Sequence, residues 1–180
     1  MLELTLKIEV ATPEAIAPYG HFVGARDGAA KFLSWPSGDV YGAIPITVGD
    51  GGELLLARMA AKQFPVQVGI IERHFKHTQT YLPFNGKPFV MVLGLESNGN
   101  LPDYTKLRAF LFQDASGIVM NTGVWHEFPH ALEDDTQFAV ILRAEAHVNT
   151  LKEPEYPHDA EGPDLERRVT KPRATIWVSH

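Results

Sequence analysis

The chain contains no cysteine. That single absence excludes disulfide frameworks, cysteine-ligated zinc, iron–sulfur clusters and thiol nucleophiles, and it is compatible with a reducing cytoplasm. Positive charge is scarce too: 16 Lys and Arg stand against 22 Asp and Glu, a net −6 with the eight histidines neutral. Phosphate backbones are held by clustered basic excess, so no nucleic-acid partner is expected. Long hydrophobic runs are also missing. The longest, near Phe89–Leu95 and Phe138–Leu142, fall far short of the roughly 20 residues a spanning helix requires. Met1 to Val10 carries Glu3, Lys7 and Glu9, which fits neither a signal peptide nor a membrane anchor. A soluble, cytoplasmic protein is the expectation.

What is present is an ordinary globular composition, 44% hydrophobic and 21% charged over 180 residues, enough for one domain with its own core. Leu2, Leu4, Leu6, Ile8 and Val10 alternate with Glu3, Thr5, Lys7 and Glu9, the period of a strand with one buried face. Thr12-Pro13-Glu14 reads as a capped helix start, stopped within a turn or two by Pro18 and Gly20. Further strands are expected at Glu53–Ala60, Val66–His74, Thr78–Leu82, Pro88–Leu95, Leu107–Phe112, Gly117–Met120 and Thr136–Ala144, separated by turn clusters such as Asn85-Gly86. Short strands punctuated by glycine and proline argue for an all-β antiparallel sandwich or barrel. Residues 1–151 form the expected domain. Residues 152–180, with Pro154, Pro157, Pro163 and Pro172, read as an extended arm on the barrel or on a partner subunit. Its closing strand, Ala174–Val178, would bury Trp177.

The segment Val66-Gln67-Val68-Gly69-Ile70-Ile71-Glu72-Arg73-His74 carries the most chemistry. Taken as one strand, it projects Val66, Val68, Ile70, Glu72 and His74 to one face, an interior that turns polar toward an open end where small ligands bind. Arg73 would then point away. A carboxylate at such a position is costly unless paired or ligating.

With Gln79 and Gly86, the pattern Glu72-x-His74-x4-Gln79-x6-Gly86 resembles the first motif of the cupin barrels, and Gly123-Val124-Trp125-His126 resembles the second. The runs Ile71-Glu72-Arg73-His74, Thr78-Gln79-Thr80-Tyr81-Leu82-Pro83, Leu107-Arg108-Ala109-Phe110 and Gly123-Val124-Trp125-His126 are more specifically similar to the ureidoglycolate lyase family. The likeness covers roughly Pro65 to Arg143. It implies a cupin-like antiparallel β-barrel of jelly-roll type and a homodimer. It also implies a carbon–nitrogen lyase that splits ureidoglycolate, or a similar small ureido or hydroxy acid, to glyoxylate and urea.

The resemblance also implies a site in which Glu72, His74 and His126 are catalytic and Gln79, Arg108, Arg143 and Trp125 bind substrate. If a metal is bound, Glu72, His74, Gln79 and His126 are its ligands. That mixed nitrogen and oxygen set suits nickel, manganese, iron or zinc, and no organic cofactor is expected. The chain departs from the family pattern at Phe75, Asn121, Glu127 and Leu142, where Pro, His, His and an acid are usual. These departures keep open a second reading, a cupin-fold binding or regulatory protein without lyase activity.

Collapse of a carbinol–urea adduct needs a base for the hydroxyl proton and an acid for the departing nitrogen, roles that imidazoles suit. A bidentate cation would hold the carboxylate, Arg108 or Arg143 rather than Arg73. His77, three residues from His74 and so on the opposite face of an extended chain, is expected to be solvated. The same expectation covers most of His130, His21, His147, His158 and His180. Gly49–Gly52 lacks the Lys-Ser/Thr of a phosphate cradle, and no Gly-x-Ser-x-Gly elbow is present.

Overall fold

Strands make up 51% of the described residues and helix 6%, an all-β fold built as a cupin-like barrel. The computed structural model describes residues 1–24, 31–145 and 158–180. The strands are β1 (Leu2–Val10), β2 (Gly20–Val23), β3 (Lys31–Trp35), β4 (Gly38–Tyr41), β5 (Gly52–Met59), β6 (Val66–Gln67), β7 (Ile70–His74), β8 (Gln79–Pro83) and β9 (Phe89–Gly94). They continue with β10 (Arg108–Phe112), β11 (Gly117–Met120), β12 (Trp125–His126), β13 (His130–Ala131), β14 (Thr136–Arg143), β15 (Ala160–Glu161), β16 (Leu165–Val169) and β17 (Ala174–Ser179). One short helix, α1 (Pro13–Ile16), follows β1; Thr12 accepts from the Ala15 amide at 3.2 Å and Pro13 fills the first turn.

Ten strands form one curled sheet, β15-β16-β7-β12-β9-β10-β1-β17-β6, with β13 branching from β9, and five form a second, β2-β11-β8-β14-β5. Between the sheets lies an aromatic core in which Phe89 stacks on Phe112 at 4.9 Å and meets Phe138 edge-on at 4.8 Å. Each such ring contributes about 1.5–3 kcal/mol by its burial. On β9, Phe89, Met91 and Leu93 enter this core, while Val90 and Val92 enter a second cluster behind the sheet with Ile71, Trp125, Ile176 and Val178. Covered on both faces, β9 reads as a continuous apolar run.

Three departures from the sequence expectations bear on the site. The large sheet is mixed rather than purely antiparallel, because β1 runs parallel to both β10 and β17. The expected strand Val66–His74 breaks at Val68-Gly69. Val66 and Val68 turn into the cluster behind the sheet with Ile71, so they do not share a face with Glu72. The backbone groups freed at the break find other partners: Glu127 Oε1 accepts from the Gly69 amide at 2.9 Å, and the Thr170 hydroxyl donates to Val68 O at 2.6 Å. The C-terminal segment does more than run over the surface, since β16 hydrogen-bonds to β7 and β17 lies between β1 and β6. Ala174, Ile176 and Val178 are buried, and strand alternation leaves Trp177 exposed instead. The expected boundary at residue 151 lies outside the described residues.

Candidate active site

Glu72 sits in the middle of three adjacent strands. Across β12 its partner is His126, and across β16 its partner is Arg167. Residues directly opposite one another on neighbouring strands share a face, so sheet register alone sets the imidazole, the carboxylate and the guanidinium in a row. His74 follows two residues along β7 and therefore joins that face. Gln79 comes from β8 in the other sheet. All five line a cavity of about 560 Å³ between the two sheets.

The geometry within the row is tight. Arg167 Nε donates to Glu72 Oε2 at 2.9 Å. The opposite oxygen, Oε1, lies 3.7 Å from His74 Nε2 and 3.9 Å from His126 Nε2. Each imidazole turns its other nitrogen to a backbone carbonyl: His74 Nδ1 to Asp164 O at 3.2 Å and His126 Nδ1 to Val124 O at 3.1 Å. With the proton on Nδ1, both Nε2 atoms become acceptors. Among the described residues, His74 Nε2, His126 Nε2 and Gln79 Oε1 are buried without a hydrogen-bond partner, an arrangement that needs an explanation. Two orphaned imidazole acceptors beside a carboxylate fit a first-row divalent cation, the ligand atoms of Glu72, His74 and His126 all lie within 4.8 Å of one another, and Gln79 lines the same cavity.

Burial by itself raises the Glu72 pKa. The adjacent His74 and His126 rings and the permanent charge on Arg167 reverse this and hold the carboxyl well below its usual range. Burial acts first on His126 as well, and repulsion from His74 adds to it; against the pull of Glu72 its pKa falls to about 4. At neutral pH the row therefore contains an ionised carboxylate facing a neutral His126.

Behind His74 the chain is equally ordered. Asp164 is fully buried. Its Oδ1 accepts from the Phe75 and Lys76 amides at 3.0 and 2.6 Å, and its Oδ2 meets His77 Nδ1 at 2.7 Å. The His77 ring lies 4.5 Å from that of His74. The expectation of a solvated His77 is thus corrected: β7 ends at His74, and the turn that follows folds His77 inward onto Asp164. Burial, then repulsion from His74, lowers its pKa. His130 is corrected in the same way, since it is half-buried at the cavity wall with Nε2 2.9 Å from Glu127. His147 lies outside the described residues.

Not every expected residue reaches the cavity. Arg108 forms a two-pronged pair with Glu9, with Nε 2.8 Å from Oε1, and lies over Phe110 away from the cavity lining. Arg143 pairs with Glu145 at 3.1 Å, because alternation along β14 gives the cavity to its neighbour Leu142. Trp125 alternates with His126 in the same manner. Its ring is buried behind the sheet under the Arg73 guanidinium, and its indole donates to Ser97 Oγ at 3.0 Å. The cation at the site is instead Arg167, with Lys62 at the cavity edge. Nothing in the sequence around Leu165–Val169 marked it, for its partner is 95 residues away. Of the four departures, Glu127 and Leu142 line the cavity while Phe75 and Asn121 do not.

The chain is similar to known proteins over most of its length. The family model for ureidoglycolate lyase matches residues 3–162. A protein of Pseudomonas fluorescens named ureidoglycolate lyase is 30% identical over 145 residues, covering 78% of this chain and 85% of its own. Proteins of the same name from Brucella anthropi and Azotobacter vinelandii are each 29% identical; they cover 78% and 80% of this chain and 83% and 88% of their own.

Proposed function

The chain belongs to the ureidoglycolate lyase family, and from that premise we propose that it is a lyase that splits the carbinol carbon–nitrogen bond of ureidoglycolate, or a close ureido acid, to release glyoxylate. The observation that carries the reading is the row Arg167–Glu72–His126 with His74, whose buried acceptors converge on one cavity.

The reaction moves one proton. The hydroxyl O–H and the C–N bond break, a carbonyl forms, and urea leaves with a new N–H. In this reading Glu72 Oε1, which faces both imidazoles, accepts the hydroxyl proton and returns it to the departing nitrogen. Arg167 keeps Glu72 ionised and in register, and with Lys62 it gives the cavity cations for the substrate carboxylate. His74 and His126, fixed by their carbonyl partners, turn their Nε2 atoms toward the substrate. A divalent ion held by His74 and His126 beside Glu72 would acidify the substrate hydroxyl.

The proposal includes a homodimer. It is supported by the β3–β4 hairpin, which among the described residues pairs with no other strand and exposes Phe32, Leu33, Trp35, Val40 and Tyr41, an unusual surface for a monomer. The deciding experiment is glyoxylate release from ureidoglycolate by chelator-treated protein, with and without added nickel or manganese. The expected result is turnover that His126→Ala removes. Release no faster than the uncatalysed rate under every condition refutes the assignment.

A further inference from the structure

The cavity is larger and more apolar than its polar floor requires. Across from Glu72, His74 and His126 runs a wall of Leu55, Met59, Tyr81, Phe128, Val140 and Leu142. Tyr81, Val140 and Leu142 are at least 95% buried yet border the cavity. At the rim Phe128 stands edge-on to Tyr81 at 5.6 Å and is 44% exposed. Ureidoglycolate has no apolar group to set against this wall, since each of its carbons carries oxygen or nitrogen. A volume of about 560 Å³ lies in the range that encloses ligands several times its size. Apolar surface bordering a polar active site stays wetted, at a cost in free energy, until an apolar ligand covers it.

We propose that the substrate carries an apolar substituent, branched aliphatic or aromatic, on the urea nitrogen farthest from the carbinol carbon, and that this group lies on the Leu55–Phe128–Leu142 wall while the carboxylate, hydroxyl and inner nitrogen meet the polar row. This deepens the proposed lyase activity and rests on it. The step balances as before: R–NH–CO–NH–CH(OH)–COO⁻ gives R–NH–CO–NH₂ and glyoxylate, with one proton moved from oxygen to nitrogen.

The test compares ureidoglycolate with its N′-benzyl and N′-isobutyl derivatives in the glyoxylate assay. In parallel, calorimetric titration compares the unreactive keto analogues oxalurate and N′-benzyloxalurate. The substituted compounds are expected to show kcat/KM at least about tenfold higher, mainly through KM, and N′-benzyloxalurate should bind at least about tenfold tighter than oxalurate. Phe128→Ala, at the exposed rim, and Leu142→Asn, deeper in the wall, should each cut that preference severalfold, with thermal melting to verify folding. Equal affinity for the two oxalurates, or a preference that survives folded Phe128→Ala, overturns the proposal. Tighter binding of the benzyl analogue without turnover of any substrate refutes the lyase reading and upholds the apolar subsite. Turnover of ureidoglycolate without the preference does the reverse.

Discussion

Replacing Arg167 with Met removes the only permanent charge in contact with Glu72 among the described residues while keeping most of the aliphatic stem. Breaking a buried ion pair from one side costs about 3–5 kcal/mol when the remaining charge is fully desolvated. The Glu72 side chain retains 22% exposure and two imidazoles within 4 Å, so the lower figure applies and is discounted to about 2–3 kcal/mol. For a chain of this size that corresponds to a fall in Tm of roughly 4–12 °C. The measurement is thermal or urea denaturation of chelator-treated protein.

The loss should depend on pH with a definite sign. The folded-state pKa of Glu72 is depressed, so its contribution to stability is full above the unfolded value near 4.3 and is lost as pH falls below it. Without Arg167 that depression shrinks. The gap between wild type and Arg167→Met should therefore be widest at pH 7 and narrow progressively on the acid side of pH 4.3. A double-mutant cycle with Glu72→Gln isolates the pair from every other contact of the guanidinium and should return a coupling of about 1–3 kcal/mol. A Tm within 2 °C of wild type, a pH-independent gap or zero coupling refutes the claim that Arg167 acts through Glu72.

His126→Ala should lower glyoxylate release by roughly 10²–10⁴-fold, as expected for a group in contact with the reacting atoms; steady-state kinetics on folded protein checks this. Because burial lowers the His126 pKa to about 4 from an ordinary 6.5, the unfolded chain binds its proton first. Wild-type stability should decline as pH falls from 6.5 toward 4, and His126→Gln should flatten that decline in a pH series of denaturation curves. Gly123 has φ +78° and donates to His74 O at 2.7 Å, and a Cβ there would meet the Glu96 carboxyl at 2.9 Å. Gly123→Ala should cost about 1–3 kcal/mol, read from the denaturation midpoint.

Much of the scaffold was legible because it follows period two. Leu2 to Val10 alternates and is β1, and the strands expected from Glu53, Pro88 and Thr136 appear within a residue or two of their predicted bounds. Where the reading stopped, the missing information lay in distant neighbours. Leu165-Glu166-Arg167-Arg168-Val169 looks too polar for an interior strand until its partners are known. Arg167 meets Glu72, Glu166 meets Arg73, and Arg168 donates to Asn100 O and pairs with Glu161. Apart from the Arg168–Glu161 pair, 7 residues apart, these contacts span 68 to 95 residues and leave no local pattern. The two-residue strands β12 and β13 are likewise set by their neighbours rather than by their own propensity. The same blindness hid the parity break at Gly69. Glu72 and His74 share a face because strand alternation holds over Ile70–His74, whereas Val66 and Val68, from which that face was inferred, point the other way.

The residue that closes the site from behind is Asp164, and its effect can be separated from that of ordinary packing. Its backbone carbonyl holds His74 Nδ1, while its carboxylate holds His77 and two backbone amides. Asp164→Asn leaves the carbonyl and one acceptor oxygen in place and sets an amide N–H against the His77 Nδ1 donor. His77 must then give up that proton or lose its partner, and either outcome shifts the ring that lies 4.5 Å from His74. A charge-assisted hydrogen bond of this kind contributes about 1.5–3 kcal/mol, so the denaturation midpoint should fall accordingly. Loss of a partner that orients a site imidazole from behind typically costs 10–100-fold, and the loss should fall on kcat with KM little changed, since Asp164 is absent from the cavity lining. His77→Phe supplies the contrast: it preserves the ring against His74 and removes the hydrogen bond. If Asp164 acts by holding His77 in place, His77→Phe should recover most of kcat while remaining less stable than wild type. Full activity and stability in Asp164→Asn, or a change confined to KM, would show that the buried pair has no part in orienting His74.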